Sequence, residues 1–206
     1  MTESGHMGKN LRCASKLGLL GLFVTMALAL AACTRDDEWK PLPVSEGGFS
    51  VLMRPQPQYA RQVLDTPAGN ITAHLYSSDR PDSYFAVGYS DYPIALVLGS
   101  SPDALFAGVR DTWVRRIDGR LGVSSPLRLE GKYQGLEFTA EGRVKDVDTF
   151  LQARIYLVDQ RLYQVIAMGK KAEFPQAVAN RFLNSFKLIP TAEIGTLPVR
   201  PPGGGK

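Results

Sequence analysis

Cysteine and histidine are scarce in this 206-residue chain, which has two of each: Cys13 and Cys33, His6 and His74. So few cysteines exclude a disulfide-dense scaffold and a multi-cysteine metal site. The Gly-x-Ser-x-Gly elbow of many hydrolases is absent from the sequence. A glycine-rich phosphate loop is absent too, since Gly18 and Gly21 fall inside an apolar run. An excess of one charge is also missing, with 24 Lys and Arg against 20 Asp and Glu, net +4. Nucleic-acid binding needs a concentrated basic surface, which this balance gives no reason to expect. What is present is 44% hydrophobic residues, enough for the core of one ordinary domain.

The N-terminus carries an address. Lys9, Arg12 and Lys16 precede an apolar run, residues 17–32, too short for the ~20 residues of a spanning helix. The run ends in Leu30-Ala31-Ala32-Cys33. A positive start, a short apolar core and small residues at the cut describe a secretory signal peptide over residues 1–32. With cysteine at the cut, the segment resembles the lipobox of bacterial lipoproteins. The resemblance implies cleavage before Cys33, diacylglycerol on its thiol and acylation of its new amine. The alternatives are an uncleaved anchor, or a secreted protein whose cysteine is incidental. Met7 offers a second start, with an n-region free of Glu3.

Two or three acyl chains exceed the single chain that gives only reversible membrane binding. The expected location is therefore the cell envelope, held by lipid. Thr34, rather than Asp, after the cysteine resembles lipoproteins released to the outer membrane, facing the periplasm where the host has two membranes. Processing would leave a charge of +2 and no cysteine besides Cys33.

Residues 34–48 (TRDDEWKPLPVSEGG) mix charges, two prolines and paired glycines, and 33–47 reads as lipidated cysteine and tether. Residues 191–206 close on Pro201-Pro202-Gly203-Gly204-Gly205 and read as a disordered tail. The folded domain is expected over 48–190. Within it Phe49, Val51 and Met53 share one face. Ile71, Ala73 and Leu75 alternate with Thr72, His74 and Tyr76, and Leu151, Ala153, Ile155 and Leu157 with Gln152, Arg154 and Tyr156. Phe85, Val87 and Tyr89, then Leu136, Phe138 and Ala140, show the same period of two, the mark of half-buried strands.

Residues 158–162 between two such runs predict a tight hairpin and antiparallel pairing. Ser101-Pro102-Asp103 supplies a helix start, and Phe106, Val109, Trp113 and Ile117 follow at helical spacing. A second helix is expected from Pro175, with Val178, Ala179, Phe182 and Phe186 on its stripe. The fold class is α+β: a mainly antiparallel sheet flanked by two helices.

That order, with Gly48-Phe49-Ser50-Val51 opening the domain, Arg154-Ile155-Tyr156-Leu157 entering the late hairpin and Phe182-Leu183-Asn184-Ser185-Phe186-Lys187-Leu188 closing it, resembles the PsbP-like fold. That fold is seen in extrinsic lumenal proteins of photosystem II and in Mog-type nuclear transport factors. Where the family has Pro-x-x-Trp after its first strand, this chain has Arg54-Pro55-Gln56-Pro57. The resemblance implies an accessory or binding role.

No catalytic set, metal site or cofactor is assigned from the sequence. His74 reads as a solvated surface histidine or, on the sharper reading, a catalytic or ligand-binding one. Glu137 and Glu141 share a strand face ~13 Å apart, beyond the separation of a glycosidase pair. Asp146 and Asp148 lack the glycine and closing Glu of a calcium loop and read as a solvated turn. Arg110, Arg115 and Arg116 on the first helix form either a charged solvent face or a patch for anionic headgroups or an acidic partner. Tyr92, Ile94 and Leu96, in the unalternating run 92–98, form either a buried strand or an exposed apolar lip for a partner or ligand. The expected function is a non-catalytic, membrane-anchored envelope lipoprotein that binds an envelope protein. The alternatives are small-ligand or lipid binding, in a cavity lined by Trp113 and Phe138, and a hydrolase with a scattered site.

Overall fold

In the computed structural model the described residues are 38–66 and 69–189, so the signal segment, Cys33 and the tail lie outside them. The elements are β1 (Lys40–Val44), β2 (Phe49–Met53), β3 (Gln58–Thr66), β4 (Gly69–Asp79), β5 (Ser83–Asp91), α1 (Ile94–Gly99), α2 (Pro102–Arg116), β6 (Arg120–Leu129), β7 (Tyr133–Val144), β8 (Val147–Val158), β9 (Arg161–Lys170), α3 (Gln176–Asn184) and β10 (Lys187–Leu188). One turn of 3-10 helix, Lys171–Glu173, precedes α3.

Seven strands form one antiparallel sheet in the order β3-β4-β5-β9-β8-β7-β6. Two meanders meet at its centre, β3-β4-β5 and β6-β7-β8-β9, with α1 and α2 carrying the chain from one to the other. The expected hairpin at 158–162 forms, with Val158 opposite Arg161 and Asp159 at φ 54° in the turn. Between β7 and β8 the turn residues Lys145 and Asp146 both have positive φ, 49° and 64°. Asp148 beyond them pairs with Arg143 at 3.5 Å, so the Asp146/Asp148 segment is a hairpin turn.

The sheet is covered on both faces. On one, Phe106, Trp113 and Ile117 of the α2 segment bury against Phe138, Ala140, Leu151, Ala153, Ile155, Leu162 and Ile166. The Ser101 hydroxyl caps α2 by accepting from the Ala104 amide at 3.2 Å. On the other face α3 presents Ala179, Phe182 and Leu183 to Phe85, Val87, Val165 and Ala167. There it shares the cover with a small sheet, β1-β2-β10, whose Phe49, Val51 and Met53 join the same core. The alternating strands are therefore not half-solvated: Tyr156 and Gln152, on the polar side of β8, are buried as well. Gln152 contacts Glu137 and Asn180 at 3.3 Å each, and Arg154 reaches Glu137 at 3.0 Å and Asn184 at 2.8 Å. Hydrogen bonding is what lets these polar groups sit beneath α3.

The tether reading is corrected at its C-terminal end. Lys40–Val44 pair with β2 as a strand, and Trp39 packs edge-on to Phe85 at 4.9 Å and beside Phe182 at 5.8 Å. Pro41 and Pro43 concealed this strand. It lies at the edge of the small sheet, where a residue without an N–H is tolerated, while Leu42 and Val44 turn inward. Two more strands had no legible signal: β3 is exposed along its described residues, and β6 is exposed apart from half-buried Leu127 and buried Leu129, because each is an edge of the large sheet.

Among the described residues, both hydrophobic clusters and every strand pairing lie within residues 39–189, inside a compact unit that starts at Trp39. This unit has the means to fold without the segment before it. Trp39→Ala is expected to lower the stability measured by urea unfolding by roughly 2–3 kcal/mol, as for a large aromatic lost from a partly buried site. An unchanged midpoint would show that Trp39 belongs to a tether after all.

Candidate interaction site on the first two helices

α1 is a short apolar helix, Ile-Ala-Leu-Val-Leu-Gly, in which no residue is buried. The buried-strand reading of 92–98 is thereby overturned: β5 ends at Asp91, and Pro93, at φ −54°, leads into a helix. The exposed-lip reading describes the outer side of this helix, where Leu98 is 80% and Ile94 52% exposed. Tyr92 and Leu96 turn the other way.

With Leu105, Val109, Thr112 and Trp113 of α2 and Leu64 and Ile71 of the β3–β4 hairpin, Tyr92 and Leu96 line an apolar cavity of about 580 Å³. Phe138, expected in such a cavity, is instead fully buried in the core. One polar contact marks the wall: the Trp113 indole N–H donates to Gln164 Oε1 at 2.7 Å. Burial of the Tyr92 phenol raises its pKa.

The start of α1 is clasped to the rest of the fold. Arg161 makes two bonds to the Asp91 carboxylate, at 2.6 and 2.7 Å, and donates to the Glu46 carbonyl at 2.9 Å. Its guanidinium lies over the Tyr89 ring, 4.9 Å from the centroid, and the Tyr92 amide donates to the Gln160 carbonyl at 2.8 Å. One side chain thus joins the β1–β2 turn, the β8–β9 turn and the entry to α1.

The three predicted arginines do not gather. Arg110 pairs with neighbouring Asp111 at 2.8 Å. Arg115 donates to the Thr112 hydroxyl at 3.1 Å, and Arg116 lies over the Trp113 ring at 5.1 Å. Arg110 and Arg115, five positions apart on a helix of about 3.6 residues per turn, point to different sides.

His74 is half-buried on the outer strands of the sheet, among tyrosines. Its ring stacks on Tyr89 with centroids 4.4 Å apart and planes 3° apart, and its Nδ1 meets the Tyr59 hydroxyl at 2.8 Å. Burial foremost pushes the Tyr89 phenol up to about 12. Sequence reading missed this stack because its members come from three strands in register, Tyr59 opposite Tyr76 and His74 opposite Tyr89. Glu137 and Glu141 are both paired, Glu137 with Arg154 and Glu141 with Lys171 and Arg120. Among the described residues no three His, Cys, Asp or Glu side chains gather into a metal site.

No protein-family model matches the sequence, and no curated protein matches it significantly. Solved structures do match. The solution structure of the cyanobacterial PsbP protein CyanoP, from Synechocystis sp. PCC 6803, superposes with a TM-score of 0.54 over 76% of this chain and 96% of that one. The fold is PsbP-like. Sequence identity to CyanoP is 10%, so the likeness concerns the fold and not the chemistry of any site. PA94, a protein of unknown function from Pseudomonas aeruginosa, covers 80% of the chain, and 99% of its own, at a TM-score of 0.39 and 11% identity.

In this PsbP-like domain the Asp91–Arg161 clasp has a definite acid dependence. The hydrogen bonds from Arg161 hold the Asp91 carboxyl below its ordinary value. Its contribution is therefore present above pH ~3.9 and lost as pH falls through the lower folded value. Asp91 is 60% exposed, so the contribution is at most ~1 kcal/mol. The stability gap between wild type and Asp91→Asn is expected to be constant above pH ~4 and to close below it. Urea titrations from pH 2 to 7 check this, and a gap that persists at pH 2 would exclude the clasp as its cause.

Proposed function

We propose that this protein is a lipid-anchored accessory module of the cell envelope, non-catalytic, which docks an envelope protein on α1. The observation that carries the reading is α1 itself, six apolar residues of which none is buried. Folding gains little from such a helix, whereas a partner would gain the burial of Leu98 and Ile94, each worth on the order of 2 kcal/mol. The Cys33 anchor rests on the lipobox resemblance, and the accessory role is consistent with the PsbP-like fold. In a host with two membranes the reading places the protein on the outer membrane, facing the periplasm.

In-cell crosslinking of the full chain tests the docking role. A discrete protein adduct is expected, with its yield cut at least about tenfold by Leu98→Asp and retained in Arg110→Gln. An adduct indifferent to Leu98→Asp would remove α1 as the docking element. Incorporation of labelled palmitate, abolished by Cys33→Ala, checks the anchor separately.

The apolar cavity favours a second reading, retention of a small apolar ligand, since about 580 Å³ is the size of ordinary ligand pockets. Gly108 faces this space, and a Cβ added there meets no atom within 4 Å. Gly108→Leu should fill the cavity without disturbing α2. Native mass spectrometry would then show an apolar ligand in wild type and none in the variant. An empty wild-type cavity leaves the docking reading alone.

A further inference from the structure

A second cleft, of about 460 Å³, opens at the opposite end of the sheet from α1. It lies where β5 begins and β9 ends, between Tyr84, the β7–β8 turn and the last turn of α2. Four basic side chains line it, Arg80, Arg116, Lys145 and Lys170, against the two carboxylates of Asp79 and Asp82. Arg116 is held at the mouth by its contact with the Trp113 ring, and Lys145 is placed by the left-handed turn. Asp82 already accepts the Ser83 hydroxyl at 3.1 Å.

A neighbouring cleft of about 430 Å³ shows what charge neutralisation looks like in this fold. There Arg120 and Lys171 share Glu141, and Arg143 pairs with Asp148. Among the described residues, no ion pair engages Arg116, Lys145 or Lys170.

The basic cleft sits at the end of the domain where the chain enters. Trp39 packs on Phe85, next to Tyr84 at the same end of β5 but on the other face of the sheet from the cleft, and β1 then runs away from that end toward the turn that Arg161 holds. Five residues separate Cys33 from Trp39, and the six steps between them, at ~3.3–3.6 Å each, span no more than about 22 Å. On the lipid-anchor reading, on which this inference rests, that short reach keeps the entry end close to the bilayer.

We propose that this end of the domain docks on an anionic lipid surface, with Arg116, Lys145 and Lys170 taking headgroup phosphates. Docking there turns α1, at the other end, away from the membrane and toward a partner. Charge is the selecting chemistry, since a basic residue near an anionic bilayer strengthens binding about fivefold.

Vesicle flotation of the chain from Thr34 onward, which carries no lipid, tests the surface directly. Retention is expected on vesicles of phosphatidylglycerol and phosphatidylcholine at low salt, and not on phosphatidylcholine alone. Added salt should release the protein, because exposed charges are screened within about a Debye length. Arg116→Glu and Lys145→Glu should each weaken retention about tenfold or more. Arg128→Glu, on β6, should not, and an unchanged circular dichroism spectrum establishes that each variant is folded.

Equal retention on neutral vesicles, no retention, or indifference to both cleft variants overturns the proposal. So does binding of inorganic phosphate at the cleft without retention on anionic vesicles. Because this chain lacks Cys33, absence of retention overturns the surface without touching the anchor. Palmitate labelling decides the anchor independently.

Discussion

The pairing of β5 with β9 is the contact on which the rest of the structure depends. It joins two meanders that are otherwise local, and it aligns Phe85, Ala86 and Val87 opposite Ala167, Ile166 and Val165, all six buried. Neither strand can be satisfied from one side. Phe85 and Val87 need α3 and the small sheet, whereas Ile166 needs α2. Each fully buried aliphatic or aromatic side chain contributes roughly 1.5–3 kcal/mol, but only if both covers are in place. Closure of this pair therefore ties together contacts about 80 residues apart in sequence, and non-local closure of that kind slows folding.

The same pair sets an axis. At one end of β5, Trp39 enters the fold over Phe85 and a basic cleft opens beside Tyr84. At the other end Asp91 and Arg161 close a clasp from which α1 projects. Helix α2 runs between them, with Ser101 near α1 and Arg116 in the basic cleft. In the proposed arrangement the charged end meets lipid and the apolar end meets a partner. Trp113 of α2 borders both surfaces, and they differ in kind through what α2 adds beside it: Leu105 and Val109 at the apolar cavity, Arg116 at the basic cleft.

Some of the candidate site was legible. Tyr92, Ile94 and Leu96 stood out because an unalternating apolar run beside a turn signal has few structural uses, and all three do lie in or on α1's approach. The arginines of α2 were legible as charges but not as a group, since helical phase and local partners separate them. Arg80, Lys145 and Lys170 carried no signal at all. Each lies in or beside a different turn, and only the antiparallel register brings those turns to one end of the sheet.

By itself the sequence determined the local elements: the Ser101-Pro102 helix start, the hairpin at Asp159, the inward stripe of Phe49, Val51 and Met53, and the α+β class. These follow from capping groups and from periodicity along one segment, which a single stretch of chain contains in full. Tertiary structure alone decided that the polar side of β8 is buried, that a proline-bearing stretch is a strand, and that His74 lies in a stack of tyrosines. Those outcomes depend on which face another element covers. A second layer arrives from a distant part of the chain, and polar-side residues such as Gln152 and Tyr156 carry no local sign that it will cover them.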